Sequence, residues 1–167
     1  MDKKLITDFT NLANQQWQVI NDGVMGGLSD GQFQINAEGN AVFLGTVSLT
    51  NNGGFTSVKN REPINLQGYI GIRLTIRGDG NRYSFRIQTG EGNKTHKWSY
   101  ECRFDTAPNS TEEIQLPFDD FKPTYRGSTP EGVPPLDPGN IHNFGFLISD
   151  KQEGEFRLEI ENIEAYA

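Results

Sequence analysis

Residues 72–88 read IRLTIRGDGNRYSFRIQ, and this stretch decides the fold class. Apolar and polar side chains alternate on both sides of the glycine-rich turn at residues 78–81. The apolar members of this alternation are Ile72, Leu74, Ile76, Tyr83, Phe85 and Ile87. A period of two indicates half-buried strands, and a Gly-Asp-Gly turn between two such runs is typical of a β-hairpin. We therefore expect two antiparallel strands joined by a tight turn.

Similar short runs follow one another along the whole chain. They cover residues 5–9, 17–21, 31–35, 41–49, 55–58, 98–104, 113–118, 143–149 and 155–163. No stretch shows helical periodicity over ten residues, and the 19 Gly and 11 Phe in 167 residues suit turns and strands. We expect a single all-β domain over residues 1–167, a β-sandwich of the jelly-roll kind.

Charge and composition exclude several classes of function. The formal net charge of −7 argues against a general binder of nucleic acid or anionic membranes, because both need a basic footprint. The single cysteine, Cys102, permits no intrachain disulfide and fits a reducing compartment. Residues 1–8 lack the apolar segment of a signal peptide, and no apolar run reaches the length of a membrane span. A cytoplasmic location is expected.

The predicted hairpin would place four arginines on one outward face. If Arg77 lies opposite Arg82, then Arg73 lies opposite Arg86, and the next strand adds further charges. The candidate polar face comprises Arg73, Arg77, Arg82, Arg86, Glu101 and Arg103. Like charges opposite each other are unfavourable, so such a stripe requires acidic neighbours or an anionic ligand. The alternatives are a solvated ionic surface and a face that grips a polar or anionic partner.

A second unusual stretch is residues 20–31, INDGVMGGLSDG. Its glycines and Asx residues are typical of turns, yet Val24, Met25 and Leu28 are apolar. We expect an ordered loop that covers these three side chains. Ordered loops on a rigid scaffold are frequent binding sites, although the same residues could serve only to build the turn.

Catalytic chemistry has little support in the sequence. His96 and His142 are the two histidines, and neither accompanies a recognisable nucleophile motif. Cys102 falls on the inward phase of its strand, which predicts a buried and unreactive thiol. The carboxylates at residues 119–120 could form half of a glycosidase pair, but more simply belong to a turn after Pro117. Neither a cofactor nor a metal is expected, and no Cys/His cluster has zinc spacing.

Several blocks together resemble the complex I intermediate-associated protein 30 family. They are Trp17 with NDGVMGGLS at residues 21–29, GGFTSV at 53–58, RGDG-N-RY at 77–83, the segment 117–127 with Pro117, Phe118, Phe121, Pro123, Tyr125, Arg126 and Gly127, and FGF at 144–146 through FRLEI at 156–160. The blocks occur in family order and span residues 17–167. The resemblance implies a galactose-binding-like jelly roll and a non-catalytic role, since mitochondrial members assist assembly of complex I and photosynthetic relatives act in complex biogenesis. The chain resembles a stand-alone, bacterial-type version of the domain.

From this resemblance we expect a protein-binding assembly factor that holds a protein partner, such as a subunit of a membrane complex, through loops at one end of the sandwich. The candidate partner-binding residues are Asp22, Met25, Gly26, Gly27, Ser29, Gly53, Gly54, Phe55 and Arg126. The alternative is a carbohydrate-binding module, with Trp98 or Tyr125 as the aromatic platform for a sugar.

Overall fold

The computed structural model describes residues 3–9, 17–21, 29–50 and 54–167 of the chain. Within these ranges the chain forms thirteen strands and two single-turn 3₁₀ helices, Phe118–Asp120 and Pro138–Asn140. The strands are β1 Lys3–Thr7, β2 Trp17–Asn21, β3 Asp30–Ile35, β4 Ala41–Val47, β5 Thr56–Asn60, β6 Gly71–Arg77, β7 Arg82–Glu91, β8 Lys94–Thr95, β9 Ser99–Asp105, β10 Thr111–Pro117, β11 Lys122–Thr124, β12 Ile141–Ile148 and β13 Gly154–Tyr166.

Two antiparallel sheets contain all of these strands. Sheet I has the order β10-β6-β13-β4-β3, and β1 pairs with the end of β13. Sheet II has the order β11-β9-β7-β12-β5-β2, and β8 pairs with β7. The apolar side chains of both sheets meet between them, which confirms the expected all-β sandwich. Alternation along each strand thus separates a buried inner face from an outer face.

The core is rich in aromatic rings contributed by both sheets. Phe43 of β4 and Phe156 of β13 meet edge to face at 4.9 Å between ring centroids. In sheet II, Phe85 of β7 packs edge to face on Phe146 of β12 at 5.2 Å. Both pairs are almost completely buried. Such pairs add directional packing energy to area burial, which is how the Phe-rich composition supports a two-layer core.

The predicted hairpin at residues 72–88 is wrong, although both of its strands exist. β6 pairs with β10 and β13 in sheet I, whereas β7 pairs with β9 and β12 in sheet II. The turn at residues 78–81 therefore crosses from one sheet to the other. Alternation specifies which side chains face the core but not which strand lies alongside, so a hairpin and a crossover give the same pattern.

Smaller differences concern segments assigned to loops. Residues 89–97 contain the end of β7 and the short strand β8, which pair with each other. Within the Pro- and Gly-rich segment at residues 119–137, β11 pairs with β9 at the edge of sheet II. Residues 125–128 then form a tight turn, in which Arg126 and Gly127 have φ of 49° and 80°.

Candidate functional site

The outer side of sheet II carries a row of polar residues across six strands. The pairing register places Lys122, Glu101, Arg86, Gly145, Lys59 and Gln18 in that order, on β11, β9, β7, β12, β5 and β2. Gly145 leaves the centre of this row without a side chain. We call this surface the basic face and define it by Lys59, Arg86, Glu101, Arg103, Lys122 and Gly145.

Glu101 is the centre of a charged network on the basic face. Its carboxylate accepts hydrogen bonds from the Ser84 hydroxyl at 2.7 Å and from Nη2 of Arg86 at 3.0 Å. Nε of Arg103 donates to it at 3.3 Å, and Nη2 of Arg103 also pairs with Asp150 at 3.2 Å. The Glu101 side chain is 10% exposed. Two arginines share this sheltered carboxylate, and Asp150 balances the second of them, so the excess of positive charge on the basic face comes from Lys59 and Lys122.

Burial by itself would raise the pKa of Glu101, but the neighbouring Arg86, Ser84 and Arg103 together hold that pKa below its ordinary value of 4.5. The folded protein therefore binds this proton more weakly than the unfolded chain does. The stabilisation is present above pH 4.5 and is lost as the pH falls through the lowered pKa of the folded state.

We expect Glu101→Gln to lower the free energy of unfolding by about 1 kcal/mol at pH 7, because Gln cannot balance the two arginines. The difference from the wild type should shrink as the pH falls below 4.5 and through the lowered pKa of Glu101, where the carboxylate becomes protonated. Urea unfolding across this pH range measures it. Glu113→Gln, at an exposed position on β10, is the control, and an E101Q deficit that stays constant through the whole acid range would contradict the assignment.

Lys59 differs from Glu101 in that its charged neighbours carry the same sign as its own charge. Its side chain is half-buried beside Gly145, and none of the described ion pairs or hydrogen bonds involves it. Burial lowers the pKa of Lys59, and the nearby charges of Arg61 and Arg86 lower it further. A partly desolvated ammonium whose charged neighbours are cations is a position where an incoming carboxylate would be favourable.

The predicted arginine stripe is divided between the two sides of the sandwich. Arg82, Arg86, Arg103 and Glu101 lie on the outer side of sheet II, whereas Arg73 and Arg77 belong to sheet I. Arg82 pairs with Asp105 at 2.8 Å at one end of sheet II. On sheet I, Arg73 lies over the ring of Tyr166 and 3.7 Å from Glu164. The predicted single face is therefore wrong, because the two strands point their polar sides in opposite directions.

Five of the predicted partner-binding residues, Asp22, Met25, Gly26, Gly27 and Gly53, lie outside the described residues. Ser29 is buried at the start of β3, where its hydroxyl accepts from the Ser48 amide at 2.9 Å and donates to the Ser48 carbonyl. Phe55 is partly buried, directly before β5. The contacts of Ser29 have a structural effect, since they join the start of β3 to the end of β4.

Arg126 lies at the opposite end of the sandwich from Phe55. Thr56, the residue after Phe55, lies at the same height across sheet II as Tyr83 of β7 and Phe104 of β9. Arg126 instead comes shortly after β11, whose last residue pairs with Ser99 of β9. Five residues of extended β9 separate these levels by about 17 Å. The prediction that the candidate partner-binding residues gather at one end of the sandwich is therefore wrong for Arg126. Its guanidinium instead lies over the exposed ring of Tyr125, 5.3 Å from the centroid.

Asp79 is a residue whose role sequence analysis missed. Its carboxylate accepts from the Tyr83 hydroxyl at 2.9 Å, the Asn81 amide at 3.0 Å, the Asn81 side chain at 2.9 Å and the Arg157 amide at 2.7 Å. Tyr83 is on β7 of sheet II, whereas Arg157 is on β13 of sheet I. Burial and then the Asp79 charge raise the pKa of Tyr83 far above its ordinary value, so its hydroxyl remains a donor. Asp79 thus ties the two sheets together at the crossover.

The side chains considered for catalysis or sugar stacking do not come together in one site. Cys102 is only partly buried, in contrast to the predicted buried thiol, but burial followed by the charges of Asp120 and Glu101 raises the pKa of the thiol to about 11, so it is protonated at neutral pH. Trp98 stacks on His96 with 4.3 Å between ring centroids and packs against the core, away from the basic face. Asp119 and Asp120 are exposed in a single 3₁₀ turn after Pro117. In the described ranges, no group of three His, Cys, Asp or Glu could hold a metal ion.

The fold is a two-sheet antiparallel β-sandwich that resembles galactose-binding-like modules. A family 11 carbohydrate-binding module of Clostridium thermocellum superposes with a TM-score of 0.72 at 17% identity, covering 99% of this chain and 95% of that one. The same module in complex with a mixed-linked tetrasaccharide gives a TM-score of 0.71 at 18% identity. A part of the agarase AgWH50C gives 0.64 at 12% identity, covering 25% of that chain. At these identities the likeness shows the fold alone.

The chain belongs to the complex I intermediate-associated protein 30 (CIA30) family, whose model matches residues 7–160. An uncharacterized protein of Schizosaccharomyces pombe is 30% identical over 175 residues, covering 93% of this chain and 80% of that protein. The mitochondrial complex I intermediate-associated protein 30 of Mus musculus is 30% identical over 95 residues, covering 55% of this chain and 29% of that protein. The expected family resemblance is thereby confirmed. In the part of the chain that the structure describes, no helix has the length and apolar character of a membrane span.

Proposed function

We propose that this protein is a non-catalytic, cytoplasmic protein-binding module that acts as a chaperone-like assembly or biogenesis factor for a multisubunit membrane complex. The observation that carries the proposal is the CIA30 family match over residues 7–160. The mouse relative bears the name of a complex I intermediate-associated protein, which supports a role in building a respiratory complex. The partner is therefore a protein, such as a subunit of such a complex.

The chemistry of the basic face supports protein binding. Ion pairs and hydrogen bonds hold Arg86, Glu101 and Arg103 in fixed positions on paired strands, so a partner would meet a preorganised set of donors. Charged surfaces of this kind contribute to specificity and to association rate more than to affinity. That suits a factor that must release its partner once assembly is complete.

Deleting the gene in its host organism is expected to reduce the mature membrane complex and to leave subassemblies behind. Native gels of solubilised membranes, with subunits identified by mass spectrometry, measure this. Reintroducing the wild-type gene should restore the mature complex. Unchanged amounts of all multisubunit membrane complexes in the deletion strain would contradict the proposal.

Carbohydrate binding is the alternative, supported by structural neighbours that are named carbohydrate-binding modules. Sugar sites in proteins commonly use an aromatic ring as a platform, yet the polar row across sheet II contains none. Of the two candidate platforms, Trp98 is stacked on His96 and Tyr125 lies under Arg126. A glycan array discriminates between the two functions, because a specific sugar hit without an assembly defect would favour the alternative.

A further inference from the structure

The charge of the basic face is opposite to that of the whole chain. The chain carries a formal net charge of −7. The outer side of sheet II nevertheless presents four cations, Lys59, Arg86, Arg103 and Lys122, and within its central row only Glu101 is acidic. Glu101 is sheltered and already shared by two arginines, and Asp150 pairs with Arg103, so Lys59 and Lys122 supply the excess of positive charge. A local excess of positive charge on an acidic protein is a feature that steers acidic partners to one place.

Gly145 lies between two cations that have unused hydrogen-bonding capacity. Lys59 and Arg86 occupy the strands on either side of it, so their backbones are about 10 Å apart. Arg86 uses Nε and Nη2 for Glu101, and none of the described hydrogen bonds uses its Nη1. No carboxylate of the described residues lies within ion-pair distance of Lys59. A carboxylate above Gly145 could accept from both side chains.

We propose that the basic face docks an acidic polypeptide segment of the partner, with one carboxylate above Gly145 between Lys59 and Arg86. This inference rests on the proposed function and specifies the chemistry of the partner. A second carboxylate of the segment would meet Lys122 or the exposed side of Arg103.

The charges favour a short acidic peptide over other anions. A nucleic acid needs a long basic footprint, and the remainder of this acidic chain would repel it. A peptide with a few carboxylates matches a patch of four cations without extending onto the acidic surface. A carboxylated sugar chain would share the charge but would lack an aromatic ring to stack on in the polar row.

The test uses a fluorescein-labelled peptide with glutamate at alternate positions, and fluorescence anisotropy at low salt. We expect the wild-type protein to bind it, with affinity decreasing as salt is added. Lys59→Glu should weaken binding about tenfold, because it places a like charge beside the docked carboxylate. Lys122→Glu, at an exposed position that tolerates substitution, should weaken it by about threefold.

Lys4→Glu is the matched control, since it makes the same change of charge at an exposed position on β1 of sheet I. It should leave affinity within about twofold of the wild type. Equal effects of K4E and K59E, or equal binding of a peptide with glutamine in place of glutamate, would overturn the proposal. Tighter binding of a polyuronate oligosaccharide or of single-stranded DNA would overturn the assignment to a peptide. Circular dichroism shows whether each variant remains folded.

Complementation of the deletion strain separates failure of this inference from failure of the proposed function. If the docking site is correct, the gene for K59E should fail to restore assembly, whereas the gene for K4E should succeed. If K59E restores assembly fully, the docking site is wrong and the assembly role stands. If the deletion strain has no assembly defect but K59E still loses the peptide, the assembly role is wrong and the docking site stands.

Discussion

Asp79→Ala is expected to lower the free energy of unfolding by about 3 kcal/mol, because it removes a charged acceptor of four hydrogen bonds. The substitution leaves the almost fully buried Tyr83 hydroxyl and the Arg157 amide without this partner. For a chain of this length, such a loss lowers Tm by about 6–12 °C. Urea unfolding followed by tryptophan fluorescence measures the free energy, and a thermal melt measures Tm.

Two further variants test the cause of the Asp79 effect. Asp119→Ala removes a carboxylate that is exposed in a 3₁₀ turn, so it should change stability by less than about 0.5 kcal/mol. Tyr83→Phe removes one donor and keeps the ring, so it should cost about 1 kcal/mol. If Asp79→Ala costs no more than Asp119→Ala, Asp79 does not tie the sheets together.

Gly145→Ala is expected to destabilise the protein by about 3 kcal/mol through overpacking. A Cβ on residue 145 would collide with the Val58 carbonyl oxygen and would lie 2.8 Å from the Cα of Lys59. Val58 and Lys59 both belong to β5, so β5 and β12 would have to separate at the middle of sheet II. The expected result is lower stability together with faster amide hydrogen exchange along β5 and β12.

Gly139→Ala is a suitable control for Gly145→Ala. A Cβ on residue 139 would come no closer than 3.3 Å to its neighbours, and the nearest of them is the end of the Asp137 side chain. We expect a change of less than about 1 kcal/mol there. Equal stability of the two variants would show that β5 and β12 can separate at Gly145 without cost. The steric role of Gly145 also explains why FGF at residues 144–146 is a recognisable block.

Much of the fold was predictable because it depends on local patterns. Runs of alternating residues predicted β6, β7, β9, β12 and β13 to within a few residues, and the inner positions Phe85, Phe146 and Leu158 are buried as expected. Strands this short need turns at regular intervals, and glycines supply several of them. The segment at residues 119–137 was harder, because β11 has three residues and depends on β9 for its pairing.

The candidate site was less predictable, because it depends on which strands are neighbours. Glu101, Arg86 and Arg103 lie on one face because β7 and β9 pair. Lys59 and Gly145 were missed because β5 reaches β12 from a distant part of the chain. One available signal was that both residues fall on the outward phase of their strands.

The sequence alone determined that this protein is an all-β sandwich of the CIA30 family, and which side chains point towards its core. These properties follow from alternation, composition and short motifs, all of which are local. Only the tertiary structure decided that residues 72–88 cross between the sheets and that the cations of β5 and β7 flank Gly145. The physical reason is that strand pairing is selected by packing of the whole core and by contacts such as those of Asp79, which join residues far apart in the chain.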